Sequence, residues 1–357
     1  MRENSGIVGP VNWSAVVAEA VRRRKAENMT QKEHAALASV SIPTIIAFDR
    51  GERTLSLAKA FDILRVVGLV EEPAAETSQE TFVGEAFARW RDLTKALPKD
   101  SPARFPHGWY RIDYALEGDI RHVEPHKLPD VLRKAVVPHT GWPMFWLPRR
   151  AEIAGREIDG TVECWLAPEI DGIDRMFEDA AHCDFWRAAP EGRMVLIRGY
   201  QEDGQETIPP GTIFDTTLPI WRTGEAFLHA ARLAKLISAD PDAATIRMRM
   251  LYTGLQGRDL RAWASPMSVD YFGGGRPRTD EAMLEGTVPA REIEKDLGRF
   301  VYPFVSSLFE RFGVTGISEE FVGSELDRMR ANQFGAGRLT KRTMETKEKA
   351  HERASSV

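Results

Sequence analysis

The stretch MTQKEHAALASVSIPTIIAFDRGER, residues 29–53, reads as two short helices joined by a tight turn. Thr30 is placed to cap the first, and Glu33 three residues on completes a capping box, in which each side chain satisfies the other residue's backbone N–H. Ser39-Val40-Ser41 makes the turn. Ser41 caps a second helix that tolerates Pro43, because the N–H groups of a first turn have no intrahelical partner. Gly51 ends that helix. Upstream, Asn12 caps a helix through WSAVVAEAVRRRKAENM, with Val16, Val17, Ala20 and Val21 as its apolar stripe and residues 22–25 as a basic end. Downstream, SLAKAFDILRVVGLV sets Leu57, Phe61, Leu64 and Val67 on one face. Residues 1–70 are therefore expected to form a compact all-α unit.

Composition bounds the rest. A chain of 357 residues exceeds the usual single domain, and 43% hydrophobic with 28% charged residues is ordinary for a soluble protein. No apolar run approaches the ~20 residues that span a bilayer. The opening MRENSGIVGPVNW has no apolar signal core, so a cytoplasmic location away from membranes is expected. Cys164 and Cys183 lie too far apart for a C-x-x-C motif and read as reduced core residues. The net charge of −5 argues against a polyanion partner until the chain is divided. Residues 1–70 hold ten Lys and Arg against seven Asp and Glu, leaving 38 against 46 for the remainder. Only the front end is basic, and phosphate affinity depends on local charge.

With Thr30-Gln31 opening one helix, Ala35 where two helices cross, Val40-Ser41 at the turn, Thr44-Ile45 in the next helix and Asp49-Arg50-Gly51 closing it, residues 30–51 resemble the helix-turn-helix of the Cro/phage-repressor class, the XRE family. The resemblance covers about residues 12–70. It implies binding to double-stranded DNA as a homodimer, with Gln31, Arg50, Arg53 and Thr54 against phosphates and Ser41, Ile42, Pro43, Thr44 and Ala47 at the base-facing end of the second helix. The chain departs from the pattern where specificity is decided. Ile42, Pro43 and Ala47 stand where the family carries Gln, Arg, Ser or Asn, and no side chain of these three can hydrogen-bond a base edge. Thymine methyls, Thr44 and groove shape are what remain to be read. The alternative is that Ile42 and Ile46 pack on another protein and the bundle is a docking module. His34, where the family usually has Leu, reads as a satisfied, half-buried histidine.

EEPAAETSQET, within residues 71–82, reads as a linker. Beyond it lie eight of the nine tryptophans and four strand-like segments, GWYRIDYALEG, GTVECWLA, MVLIRGYQ and TIRMRMLYTG. Helical patterns alternate irregularly with them, in LPDVLRKAVV, GEAFLHAARLAKLIS and an apolar helix over 291–312 with Gly298 and Pro303 as kink points. The fold class expected is thus multidomain, an all-α helix-turn-helix domain followed by a larger mixed α+β domain over 83–330, and then a disordered polar tail over 331–357. No nucleophile elbow, phosphate loop, zinc motif or dinucleotide fingerprint occurs, and YFGGGRPRTD reads as a surface loop. His122 and His126 are four apart but separated by Pro125, which opposes a shared metal, so neither metal nor cofactor is expected. For ligand binding the sequence offers Trp142, Phe145 and Trp146 as walls, with Arg198, Glu202 and Asp203 as polar groups at a strand end. An aromatic core with a surface salt bridge accounts for the same residues, and Arg222 with Glu225 reads as an ordinary helix start. The expectation is a bacterial or phage transcriptional regulator whose large domain oligomerises, senses a small-molecule or protein effector, or both. An enzyme or defence factor carried to nucleic acid by its head is the rival.

Overall fold

The structure, a computed structural model, describes residues 12–38, 40–70, 78–167, 179–264 and 275–331. The chain divides into two compact units that meet at Thr77 and Ser78. Ser39 of the expected turn, residues 71–77 of the expected linker and the tail from 332 lie outside the described residues.

The first unit contains α1 (Trp13–Ala26), α2 (Gln31–Leu37), α3 (Ile42–Asp49) and α4 (Leu57–Val66). Its boundaries follow from the caps. Asn12 accepts from the Ala15 N–H, Thr30 and Glu33 form the reciprocal capping box, and Ser41 and Ser56 cap the last two helices. Val17, Ala20, Ala35, Ile45, Phe48 and Ile63 are buried together. Each large apolar member contributes about 2 kcal/mol by leaving water. The buried face of α4 runs through Ala60, Ile63, Leu64 and Val67, whereas Phe61, expected inside, is 42% exposed. A helix of 3.6 residues per turn brings 60, 63, 64 and 67 under one stripe and leaves 61 at its margin.

The second unit begins with α5 (Ser78–Thr94), whose Gln79 and Phe82 are already buried, so packed structure starts inside the segment read as linker. There follow β1 (Trp109–Glu117), α6 (Leu128–Ala135), β2 (Arg156–Ile158), β3 (Thr161–Trp165), β4 (Phe185–Ala188), β5 (Arg193–Gly199), β6 (Ile213–Asp215) and α7 (Leu218–Ile237). The order continues with β7 (Thr245–Tyr252), β8 (Asp259–Arg261), β9 (Ala282–Pro289), α8 (Ala290–Ile293), α9 (Leu297–Arg311) and α10 (Glu319–Arg330). Among the described residues, seven strands make an antiparallel sheet in the order β2-β3-β4-β5-β1-β7-β9, and β6 pairs with β8 in parallel.

Strand alternation sorts the side chains between two layers. Val195 and Ile197 of β5 face α5, joining Phe82, Val83, Ala86 and Trp90. Met194 and Leu196 face the opposite way, into a larger core with Ile112, Phe227, Ile246 and Val301. The apolar face of α9 is spent in this core, with Val301, Val305, Leu308 and Phe309 nearly fully buried. Among the described residues no helix is long and apolar enough to cross a membrane.

Candidate functional site

On the first unit, α3 turns Ile45 and Phe48 inward, which aims the residues between them outward. Ile42 is 42% exposed, Pro43 is exposed, and Thr44, Ile46 and Ala47 are half-buried. Pro43, Ala47 and Arg50 follow one another at helical spacing along the outer face, and Arg53 and Thr54 are exposed just beyond. The Ser41 and Thr44 hydroxyls are 2.8 Å apart, so Thr44 is tied into the cap.

Behind this face lies a charged clasp. Arg24 donates to both carboxylate oxygens of Asp49, at 2.8 and 2.6 Å, and is only 5% exposed. Gln31, expected against phosphate, donates its amide to the same carboxylate at 2.6 Å while remaining exposed. The burial of Asp49 opposes its ionisation, but the bonds from Arg24 and Gln31 outweigh that and hold its pKa down. His34 is fully buried rather than half-buried, donating to the Ile63 carbonyl at 2.9 Å; burial pushes its pKa down and favours the neutral ring. At the basic end of α1, Arg22 and Arg23 bind Glu19 and Arg23 also reaches the Val67 and Gly68 carbonyls, while Arg22 and Lys25 are exposed. Arg24, Asp49 and Gln31 thus lock α1, α2 and α3 to one another with a bidentate fork.

In the second unit a pocket opens where three strands end beneath the N-terminus of α7. Its floor is one row across the sheet, Arg198 on β5 opposite Tyr110 on β1, and Tyr110 opposite Tyr252 on β7. Leu218, Pro219 and Arg222 of α7 and the 3-10 turn Gln201–Gly204 close it, leaving about 20 Å³, room for roughly one water. Arg198 is buried and bidentate to Asp184, with further donation to the Trp142 and Pro143 carbonyls at 3.5 and 3.4 Å. Burial alone would lower its pKa, but Asp184 reverses the sign and keeps it charged. Arg222 donates to the Trp142 carbonyl at 2.8 Å, to Glu225 at 3.0 Å and to Thr140.

Glu202 differs from these closed pairs. One of its oxygens accepts from the Asp215 N–H at 3.0 Å, and the carboxyl also faces its own backbone N–H. Burial, reinforced by the charge of Asp215, pushes its pKa up to about 7. The Tyr252 hydroxyl, also lining the pocket, has no hydrogen-bond partner among the described residues. Together they offer a neutral-range carboxyl and a phenol to a small polar guest. Among the described residues no group of three or more His, Cys, Asp or Glu is placed to hold a metal ion.

No family model, curated protein or solved structure matches the chain.

Of the residues that the sequence offered for a ligand, Arg198 and Glu202 do meet in the pocket. Asp203 does not, being bound at 2.6 Å to the buried Arg258. Trp142 and Trp146 do not line this pocket. Their rings pack edge to face at 5.0 Å, and the Trp142 indole donates to Asp184 behind the Arg198 fork. Phe145 is fully buried. Sequence reading missed Tyr110 and Tyr252, whose alternation marked them as strand residues without showing that they share one end of the sheet, and Phe214 of β6, which lay in no segment read as a strand.

Proposed function

We propose that the protein is a DNA-binding transcriptional regulator of bacterial or phage type, in which α2 and α3 act as a helix-turn-helix of the Cro/phage-repressor kind. What supports this reading is the outer face of α3. It is fixed from behind by the Arg24–Asp49–Gln31 clasp, free of competing ion pairs among the described residues, and flanked by exposed Arg50 and Arg53. In this reading the arginines and the outer edge of Gln31 anchor to phosphates, and Ile42, Pro43 and Ala47 meet the thymine methyl, the apolar group of the major groove. The large unit supplies self-association and, through the Glu202 pocket, a response to a small polar effector.

Selection of genomic duplexes by the full chain, followed by replacement of thymine with deoxyuridine in the selected site, tests the reading. Each methyl lost should cost on the order of 1 kcal/mol, about fivefold in affinity, and an Ile42→Ala chain should be insensitive to the methyl that Ile42 touches. A chain that selects no duplex over random DNA would overturn it. A second reading rests on the exposure of Leu37 (64%), Ile42 and Phe61 on the same small unit, which suits a protein-docking surface. It predicts that Leu37→Ser and Phe61→Ser abolish partner capture while duplex binding is absent throughout.

A further inference from the structure

Strand β9 pairs with β7 along its whole length, from Ala282 opposite Tyr252 to Pro289 opposite Thr245, and it is the last strand of the sheet. Among the described residues no strand lies on its other side. A row of backbone donors and acceptors on an open edge is a template for another strand, and proteins blunt such edges with lysines, interior prolines, bulges or brevity. The far edge of this sheet is blunted by brevity, since β2 has three residues. Strand β9 has eight, in uninterrupted register, with no lysine and with its proline only at the end. Its Met283 is 47% exposed. Beside it, between β9 and α9, runs a groove of about 340 Å³ floored by Leu284, Phe300 and Phe304 and rimmed by Glu285, Arg299 and Arg311.

We propose that this edge is the dimer interface of the protein, with β9 pairing antiparallel to β9 of a second copy about a two-fold axis. The strand itself fixes the register. Ala282, Leu284 and Val288 face the core and Met283, Glu285 and Thr287 face away, so a continuous sheet must pair even positions with even, placing the axis at a residue rather than between two. Glu285 and Gly286 flank the midpoint of the strand, so an axis at either keeps the longest ladder, but an axis at Glu285 would set two carboxylates face to face. An axis at Gly286 sets Leu284 of one copy opposite Val288 of the other, and Glu285 opposite Thr287, without a like-charge contact. A Cβ at Gly286 would come within 3.1 Å of the Phe304 ring, so its absence lets that ring lie against the strand beside the axis. The groove rim carries both acid and base, so an identical copy supplies the complement of each charge. The proposal deepens the self-association placed in the large unit above, and rests on that reading only for its biological use, since it is tested without DNA.

Sedimentation velocity of the full chain should show twice the 40.1 kDa chain mass. Met283→Lys, at an exposed side chain, should weaken the dimer by about tenfold or more while the circular dichroism of the chain stays unchanged. A Glu285→Cys/Thr287→Cys double variant should cross-link fully under mild oxidation, because residues directly opposite in an antiparallel pair lie within disulfide range. Each single cysteine variant should not, and the buried Cys164 and Cys183 do not compete. A chain that stays monomeric at all concentrations would overturn the proposal. So would a dimer indifferent to Met283→Lys that fails to cross-link. A dimer that behaves as predicted yet selects no duplex would leave this interface standing and remove the DNA reading.

Discussion

Glu202→Gln isolates the carboxyl that sets the pocket apart. The Glu202 side chain is 2% exposed, its Oε1 accepts from the Asp215 N–H, and its pKa is raised from 4.5 to about 7. Between those values the folded chain keeps a proton that the unfolded chain has released, so this group makes the unfolding free energy fall as pH rises through the window. At 1.36 kcal/mol per pH unit the loss amounts to roughly 3 kcal/mol by pH 8. Glutamine keeps a carbonyl oxygen for the Asp215 N–H and cannot titrate. The stability of the variant relative to the native chain should therefore grow by roughly 3 kcal/mol from pH 4.5 to pH 8. His229 works in the opposite sense. Burial lowers its pKa to about 3, so the stability it supports is complete above 6.5 and is lost as pH falls towards 3. In the native chain the two slopes oppose each other between 4.5 and 6.5, whereas in Glu202→Gln the rise from His229 is no longer opposed by Glu202. Urea unfolding across pH 4.5–8.5, followed by tryptophan fluorescence, reads the second unit, which holds eight of the nine tryptophans. Parallel profiles for the two proteins would refute the argument.

Asp49→Ala leaves Arg24 buried without its carboxylate and should destabilise the first unit by about 3–5 kcal/mol, seen as lost amide-exchange protection over residues 13–66 with the second unit unaffected. Arg50→Ala and Arg53→Ala should each reduce the salt dependence of duplex binding by a slope of about 0.9 while the melting temperature stays put; an unchanged slope would remove them from the phosphate contacts. Gly254→Ala should lower the melting temperature far more than Gly257→Ala. Both backbones have positive φ, +64° and +89°, but a Cβ at 254 would sit 2.7 Å from the Gly108 Cα and the His107 carbonyl, whereas at 257 nothing lies within 4 Å.

The local elements were legible in the sequence because their signals are local. The Thr30–Glu33 box and the Ser41 cap need only three residues of context, and alternation in β1, β5 and β7 records which side chains leave water. What was illegible depends on partners distant in the chain. Arg198 reads as an open ligand fork until Asp184, fourteen residues earlier and on the neighbouring strand's approach, is seen to fill it. Gln31 and Asp49 are eighteen residues apart, and only the crossing of α2 with α3 joins them. Trp142 and Trp146 carry pocket-like composition, but aromatic rings that bury one another satisfy the same pattern. The first turns of α5 lay hidden because Gln79 and Glu80 look like solvent residues, yet Gln79 is buried by donating to Asp113 of β1.

The unequal edges of the sheet also limit how far assembly can run. Head-to-tail growth into a fibre would need β9 of one molecule to meet β2 of the next, and three residues offer too short a ladder to hold an eight-residue strand. Pairing of β9 with itself consumes the one long edge of each sheet and leaves two short ends facing outward. An assembly paired in this way would therefore end at two chains, as one sheet of fourteen strands whose outer edges, among the described residues, are the three-residue β2.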